Sequence, residues 1–194
     1  MKRLLCLGDS NTYGYDPRSY LGSRYPRDLR WTGLLEQGGR TVFNFGQNGL
    51  TIPGEYTFPA LRQLLREKLP LDLVTVMLGS NDLLLGASVP DTAARMEALL
   101  RFLLQAADGA ALLLIAPPLM ELGEWVPNKS YIRASEKLRD AYRDLAQKLA
   151  IPFADAGEWG VELCYDGVHF SPAGHRAFAQ GLEAFLAELP KESS

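Results

Sequence analysis

Two nearly continuous apolar runs, 73–78 (LVTVML) and 111–116 (ALLLIA), constrain this chain more than anything else in it. Neither run alternates with polar residues, so a strand at either place must be covered on both faces, the condition of a parallel sheet lying between helices. Residues 4–7 (LLCL) make a third such run, and the shorter segments 41–45 (TVFNF) and 152–154 (PFA) bring the number of candidate strands to five. Between them the apolar spacing becomes helical. Residues 31–37 and 59–69 read as helices, the second with Leu61, Leu64, Leu65 and Leu69 on one face, and 91–107 presents Met96, Leu99, Leu100, Leu103 and Leu104. Residues 130–149 present Leu138, Tyr142, Leu145 and Leu149, and a last helix begins at Pro172 behind a capping Ser171 and runs to about Leu189. Strands alternating with helices imply βαβ units, right-handed crossovers and an α/β fold with one mainly parallel sheet. At 194 residues, 47% hydrophobic and 22% charged, the chain suits a single domain over 1–194.

In open parallel sheets, sites form outside the carboxyl ends of the strands. The residues that follow the runs are therefore the first place to look. The run 4–7 stops at Gly8 and passes at once into Asp9, Ser10, Asn11 and Thr12, with Gly14 beyond. This reads as a strand, a tight turn and a helix start, where backbone N–H groups favour negative charge and Ser10 can serve as a nucleophile. The same residues also suit plain helix capping. The segments 41–45 and 73–78 empty into Gly46, Gln47, Asn48, Gly49 and into Gly79, Ser80, Asn81, Asp82. Ser10, Gly49 and Asn81 thus fall on one edge of the sheet.

Only two histidines are available as a general base. His175 is in helical phase with Phe178, Leu182, Phe185 and Leu189 on an inward face, which predicts a structural, hydrogen-bonded role. His169 precedes that helix in a loop, three residues after Asp166. A carboxylate there holds one ring nitrogen and leaves the other to take a proton from Ser10, the nucleophile, base and orienter of acyl transfer. The oxyanion formed by attack needs donors fixed in advance, and the N–H groups of Ser10 and Gly49 with the side-chain amide of Asn81 supply three. Asp9, Asn11, Tyr13 and Trp31 are the expected substrate-binding residues, with Tyr15 and Trp125 as further candidates for an aromatic pocket wall.

Other classes find less support. A net charge of -3 without a basic cluster excludes a nucleic-acid footprint. No apolar run is long enough to span a bilayer, and the run after Lys2 and Arg3 is too short for a signal peptide, so no membrane partner and a cytoplasmic location are expected. Cys6 and Cys164 lack ligand or disulfide spacing, no metal site or cofactor is implied, and free thiols are expected. There is no G-x-S-x-G elbow. A flavodoxin-like carrier cradling a phosphate or flavin in the Gly8 to Gly14 loop is the rival from another class, but such a site has no use for Asp166 and His169.

Gly8, Asp9 and Ser10, then Asn44 to Gly49, then Gly79 to Asp82, then Asp166 to His169 resemble, in order and over nearly the whole chain, the four sequence blocks of the SGNH hydrolases, or GDSL esterases. The resemblance implies a flavodoxin-like three-layer α/β/α sandwich with a five-stranded parallel sheet. It also implies Ser10 as nucleophile, Asp166 and His169 as its partners, and Gly49 and Asn81 as oxyanion donors. The implied activity is hydrolysis of short-chain acyl esters of small alcohols, phenols or sugars. Acyl transfer, perhydrolysis, lysophospholipid or thioester cleavage are the alternatives on the same triad. The stretches GDSNTYGYDP, RYPRDLRWTGLL, MLGSND and IAPPL are similar to the bacterial arylesterase and acyltransferase branch, in which some members form homo-oligomers. Two positions depart from the pattern: Asn11 stands where the family name has Leu, and Ser80 where Thr is common.

Overall fold

The computed structural model describes residues 2–19 and 21–189. Five strands, β1 (Arg3–Gly8), β2 (Thr41–Gly46), β3 (Leu73–Met77), β4 (Ala111–Ala116) and β5 (Phe153–Asp155), pair in parallel in the order β2-β1-β3-β4-β5. The register sets Leu4 beside Val42 on one side and Leu73 on the other, with Leu114 beside Phe153 at the far edge. The helices are α1 (Ser10–Tyr13), α2 (Trp31–Gln37), α3 (Phe58–Arg66), α4 (Ser80–Leu84), α5 (Val89–Ala106), α6 (Lys129–Leu149) and α7 (Pro172–Glu188).

The central strands β1, β3 and β4 are buried on both faces, as their nearly continuous apolar runs require. Leu5, Leu7, Val74, Val76, Leu112 and Leu114 point to one side, where Leu65 of α3, Met96 and Leu99 of α5, and Leu138 and Tyr142 of α6 cover them. The alternate residues Leu4, Cys6, Leu73, Met77, Leu113 and Ile115 point to the other, against Trp31 and Leu35 of α2 and Phe178 and Leu182 of α7. Each fully buried aliphatic side chain contributes about 1.5–3 kcal/mol. These two layers therefore carry most of the stabilising burial. The fold is the expected three-layer α/β sandwich with a five-stranded parallel sheet.

Differences from the sequence reading are local. The helix expected at 91–107 spans 89–106, capped by Ser88, whose side chain accepts from the Asp91 N–H. Its inward face takes Phe102, stacked on Phe58 at 4.3 Å, and leaves Leu104 48% exposed, because the partner helix α3 meets the side on which Phe102 lies. Cys6 and Cys164 are free thiols, the first buried and pushed up to about 12 by that burial. No helix among the described residues is long and apolar enough to cross a membrane.

Because the chain goes from β1 outward to β2 and then back across to β3, the crevice at the switch point opens between β1 and β3 at their carboxyl ends. The loops after β1, β2 and β3 all reach it. The segment 166–169 comes to it from beyond β5.

Candidate active site

Gly8 closes β1 because any side chain there would collide with Thr12: a Cβ would lie 2.0 Å from Thr12 Oγ1. The chain therefore turns tightly into α1. Asp9 caps that helix, its carboxylate accepting from the Asn11 N–H at 2.9 Å. Ser10 is the first helical residue, 5% exposed, with its N–H at the open end of the turn. Gly46 lets α1 lie against the end of β2, where a Cβ would meet the Tyr13 nitrogen at 2.0 Å.

From the other side of the crevice the 166–169 loop brings in its imidazole. His169 Nε2 lies 2.9 Å from Ser10 Oγ, and His169 Nδ1 lies 2.7 Å from Asp166 Oδ2. The second carboxylate oxygen, Oδ1, accepts from the backbone N–H groups of Val168 and His169, both at 2.9 Å. Burial alone would raise the Asp166 carboxyl, but the bonds from the His169 ring and these two amides outweigh it and hold it below the ordinary carboxylate range. An ionised Asp166 places the proton on Nδ1 and leaves Nε2 bare toward the serine hydroxyl.

Gly49 lies in an exposed turn after β2 with φ of +71°, a backbone angle that suits glycine. Asn81 opens α4 behind Gly79, itself at φ +116°. One amide N–H of Asn81 donates to the Leu50 carbonyl at 3.0 Å, leaving the other free to point elsewhere. The next residue, Asp82, accepts from the Ile52 N–H at 3.0 Å and meets Arg95 at 3.2 Å. Adjacent side chains after β3 thus hold the segment just beyond Gly49. Asp82 belongs to a motif visible in the sequence, but its grip on Ile52 joins residues 30 apart and leaves no sequence signal.

Two aromatic rings stand against the His169 ring: Tyr15 at 4.8 Å and Trp125 edge-on at 4.9 Å. Trp125 is 47% exposed and lies in the irregular 119–128 stretch. That stretch is stitched to the 165–167 backbone by Glu121 N–H to Gly167 O, Glu124 N–H to Tyr165 O and Trp125 N–H to Asp166 O, at 3.0 to 3.3 Å.

The four residues expected to bind substrate all have partners within the protein. Trp31 is 1% exposed: it packs on Phe178 at 4.8 Å and donates from its indole to the Asn11 carbonyl, so it is core. Asn11 is buried with both ends of its amide engaged by the 168–170 backbone. Asp9 is buried as a cap, and Tyr13 lies under the Arg24 guanidinium at 4.2 Å. The inward-facing reading of His175 holds: it is fully buried, its Nδ1 faces the Trp31 N–H at 3.5 Å, and burial lowers it to about 3. Its Nε2 has no hydrogen-bond partner among the described residues.

Against protein-family models, residues 6–177 match the GDSL-like lipase/acylhydrolase family. This chain belongs to that family. No curated protein sequence matches it. Among solved structures, the acylhydrolase is similar to the native Mycobacterium smegmatis aryl esterase, with 29% identity and a TM-score of 0.84 over 98% of this chain and 100% of that one. It is also similar to Est24, a carbohydrate acetylesterase from Sinorhizobium meliloti, with 26% identity and a TM-score of 0.81 over 96% and 99% of the two chains. A carbohydrate acetylesterase family member from the same organism matches at 29% identity and a TM-score of 0.80 over 96% and 97%. The acylhydrolase is accordingly a carboxylic ester hydrolase of the SGNH type, a family in which a serine triad and an oxyanion hole are typical.

Proposed function

We propose that this protein is a serine esterase that cleaves short-chain acyl esters of small alcohols, phenols or sugars through an acyl-enzyme on Ser10. The reading is carried by one observation: His169 stands between the Ser10 hydroxyl and the Asp166 carboxylate at 2.9 and 2.7 Å. The similar structures, an aryl esterase and a carbohydrate acetylesterase, support the substrate class.

Ser10 Oγ attacks the ester carbonyl while His169 Nε2 takes its proton, and Asp166 stabilises the imidazolium that forms. The resulting oxyanion is met by the N–H groups of Ser10 and Gly49 and the free amide N–H of Asn81. Collapse breaks the bond to the leaving oxygen, which takes the proton from His169. Water then attacks the acyl-serine, again through His169, and the acid leaves with Ser10 restored. Tyr15 and Trp125, beside the imidazole, form the wall against which a small acyl or aryl group rests.

The test is a panel of p-nitrophenyl esters of increasing acyl length, together with acetylated sugars, run on wild type and Ser10→Ala. Turnover of short esters that disappears in Ser10→Ala is the expected result. Undiminished turnover in purified Ser10→Ala would refute the assignment.

A further inference from the structure

The residue after the proposed nucleophile has its side chain in an unexpected place. Asn11 Nδ2 donates to the Val168 carbonyl at 3.0 Å, and Asn11 Oδ1 accepts from the Phe170 N–H at 2.9 Å. These are the carbonyl before His169 and the amide after it. In a parallel ladder a single residue pairs in this way with the two neighbours of its partner. The Asn11 carboxamide thus acts as one residue of strand laid beside His169.

The surrounding bonds complete the arrangement. Asp166 Oδ1 takes the N–H groups of Val168 and His169, and the Cys164 N–H donates to the His169 carbonyl at 2.6 Å. With the Asn11 pair added, every backbone polar group from the Val168 nitrogen to the Phe170 nitrogen has a partner, as buried backbone requires. Asn11 is itself held at both ends of its main chain, its N–H by Asp9 and its carbonyl by the Trp31 indole at 3.0 Å. The core therefore grips Asn11, Asn11 grips the peptides on either side of His169, and one peptide bond separates Asn11 from Ser10.

We infer that Asn11 is a positioning residue whose carboxamide sets the distance and angle between Ser10 Oγ and His169 Nε2, an inference that rests on the serine-esterase reading above. A leucine here fills similar space but can neither donate to Val168 nor accept from Phe170. The base-bearing loop then loses its direct tie to the residue beside the serine. Misplacement of reacting groups by about 1 Å costs roughly 10²-fold in rate, so the loss falls on turnover rather than on substrate binding.

The experiment compares wild type, Asn11→Leu and Ser10→Ala with p-nitrophenyl acetate. It adds the rate of Ser10 phosphorylation by diethyl p-nitrophenyl phosphate, thermal melting, and the low-field proton resonance of the His169 Nδ1–H. For Asn11→Leu, kcat falls about 10- to 100-fold. Its KM stays within about threefold of wild type, phosphorylation slows in parallel with kcat, and the Nδ1–H resonance shifts or broadens. If Asn11→Leu does not fold, Asn11→Ser, smaller and polar, carries the same measurements with the same expected split. A variant that melts earlier while keeping wild-type kcat, phosphorylation rate and Nδ1–H resonance overturns the proposal and leaves Asn11 a stabilising residue only. The two readings fail separately: full turnover in Ser10→Ala removes the esterase assignment and this inference with it, whereas a silent Ser10→Ala beside a fully active Asn11→Leu removes this inference alone.

Discussion

Asp9→Asn is expected to make this protein more stable at neutral pH and slower. Asp9 is 3% exposed, and burial pushes its carboxyl from an ordinary 3.8 up to about 6; the Asn11 N–H and the His169 ring pull it back, and the nearby Asp82 adds to the rise. A carboxyl raised in the folded state binds its proton more tightly there than in the unfolded chain. Its favourable contribution is complete below about pH 3.8 and is lost as the pH rises through about 6. A shift of about 2 units corresponds to roughly 3 kcal/mol at full ionisation, because each unit is worth about 1.4 kcal/mol. Asparagine keeps the oxygen that caps Asn11 and carries no charge to desolvate. The advantage of Asp9→Asn over wild type should therefore grow by about 2–3 kcal/mol between pH 4 and pH 7.5, roughly 1 M in urea midpoint. Urea unfolding of both proteins across that range measures it directly. An advantage that does not change with pH would show that Asp9 carries no burial penalty. Turnover should fall severalfold in the same variant, since the charge of the Asp9 carboxylate reaches the His169 ring and favours the imidazolium formed during attack; stability and activity then move in opposite directions.

Removing a single oxyanion donor by Asn81→Ala should lower kcat for p-nitrophenyl acetate by roughly 10²–10³ with a smaller change in KM, and unchanged kcat would exclude the amide from the oxyanion site. His175, held neutral with its pKa lowered to about 3, lets the unfolded chain bind one more proton than the folded one between there and 6.5. Stability should consequently drop as the pH falls below 6.5, and melting at pH 4 and pH 7 should show that drop reduced in His175→Phe, which suits the aromatic surroundings of Tyr25, Phe170 and Trp31. At Gly123 a Cβ would lie 2.4 Å from the Asp166 carbonyl carbon. Gly123→Ala should force the 119–128 stretch off the Asp166 loop and reduce turnover, seen as slower phosphorylation of Ser10 and a more exposed Trp125 by fluorescence; wild-type rate and fluorescence would show that the stretch yields at no cost to the site.

The sequence by itself determined the layers, the strand count and the edge on which the site lies. Nearly continuous apolar runs such as 73–78 and 111–116 admit little but a sheet covered on both faces, and strands separated by helical segments admit little but parallel pairing. The meeting of Ser10 with the Asp166 and His169 pair was legible for the same reason: each follows a strand end or precedes a helix, and residue type limits what each can do there. Side-chain direction was not legible. Trp31 and Asn11 read as pocket residues because they stand in polar or loop-rich stretches, yet Trp31 turns into the α2 and α7 layer and Asn11 turns toward Val168 and Phe170. Tyr15 and Trp125, separated by 110 residues, meet on one imidazole. Local sequence governs whether a segment is strand, turn or helix, because those hydrogen bonds and periodicities lie within a few residues. Which side chains share a wall, a clamp or a buried charge is decided when segments distant in the chain pack, and only the tertiary structure contains that contact.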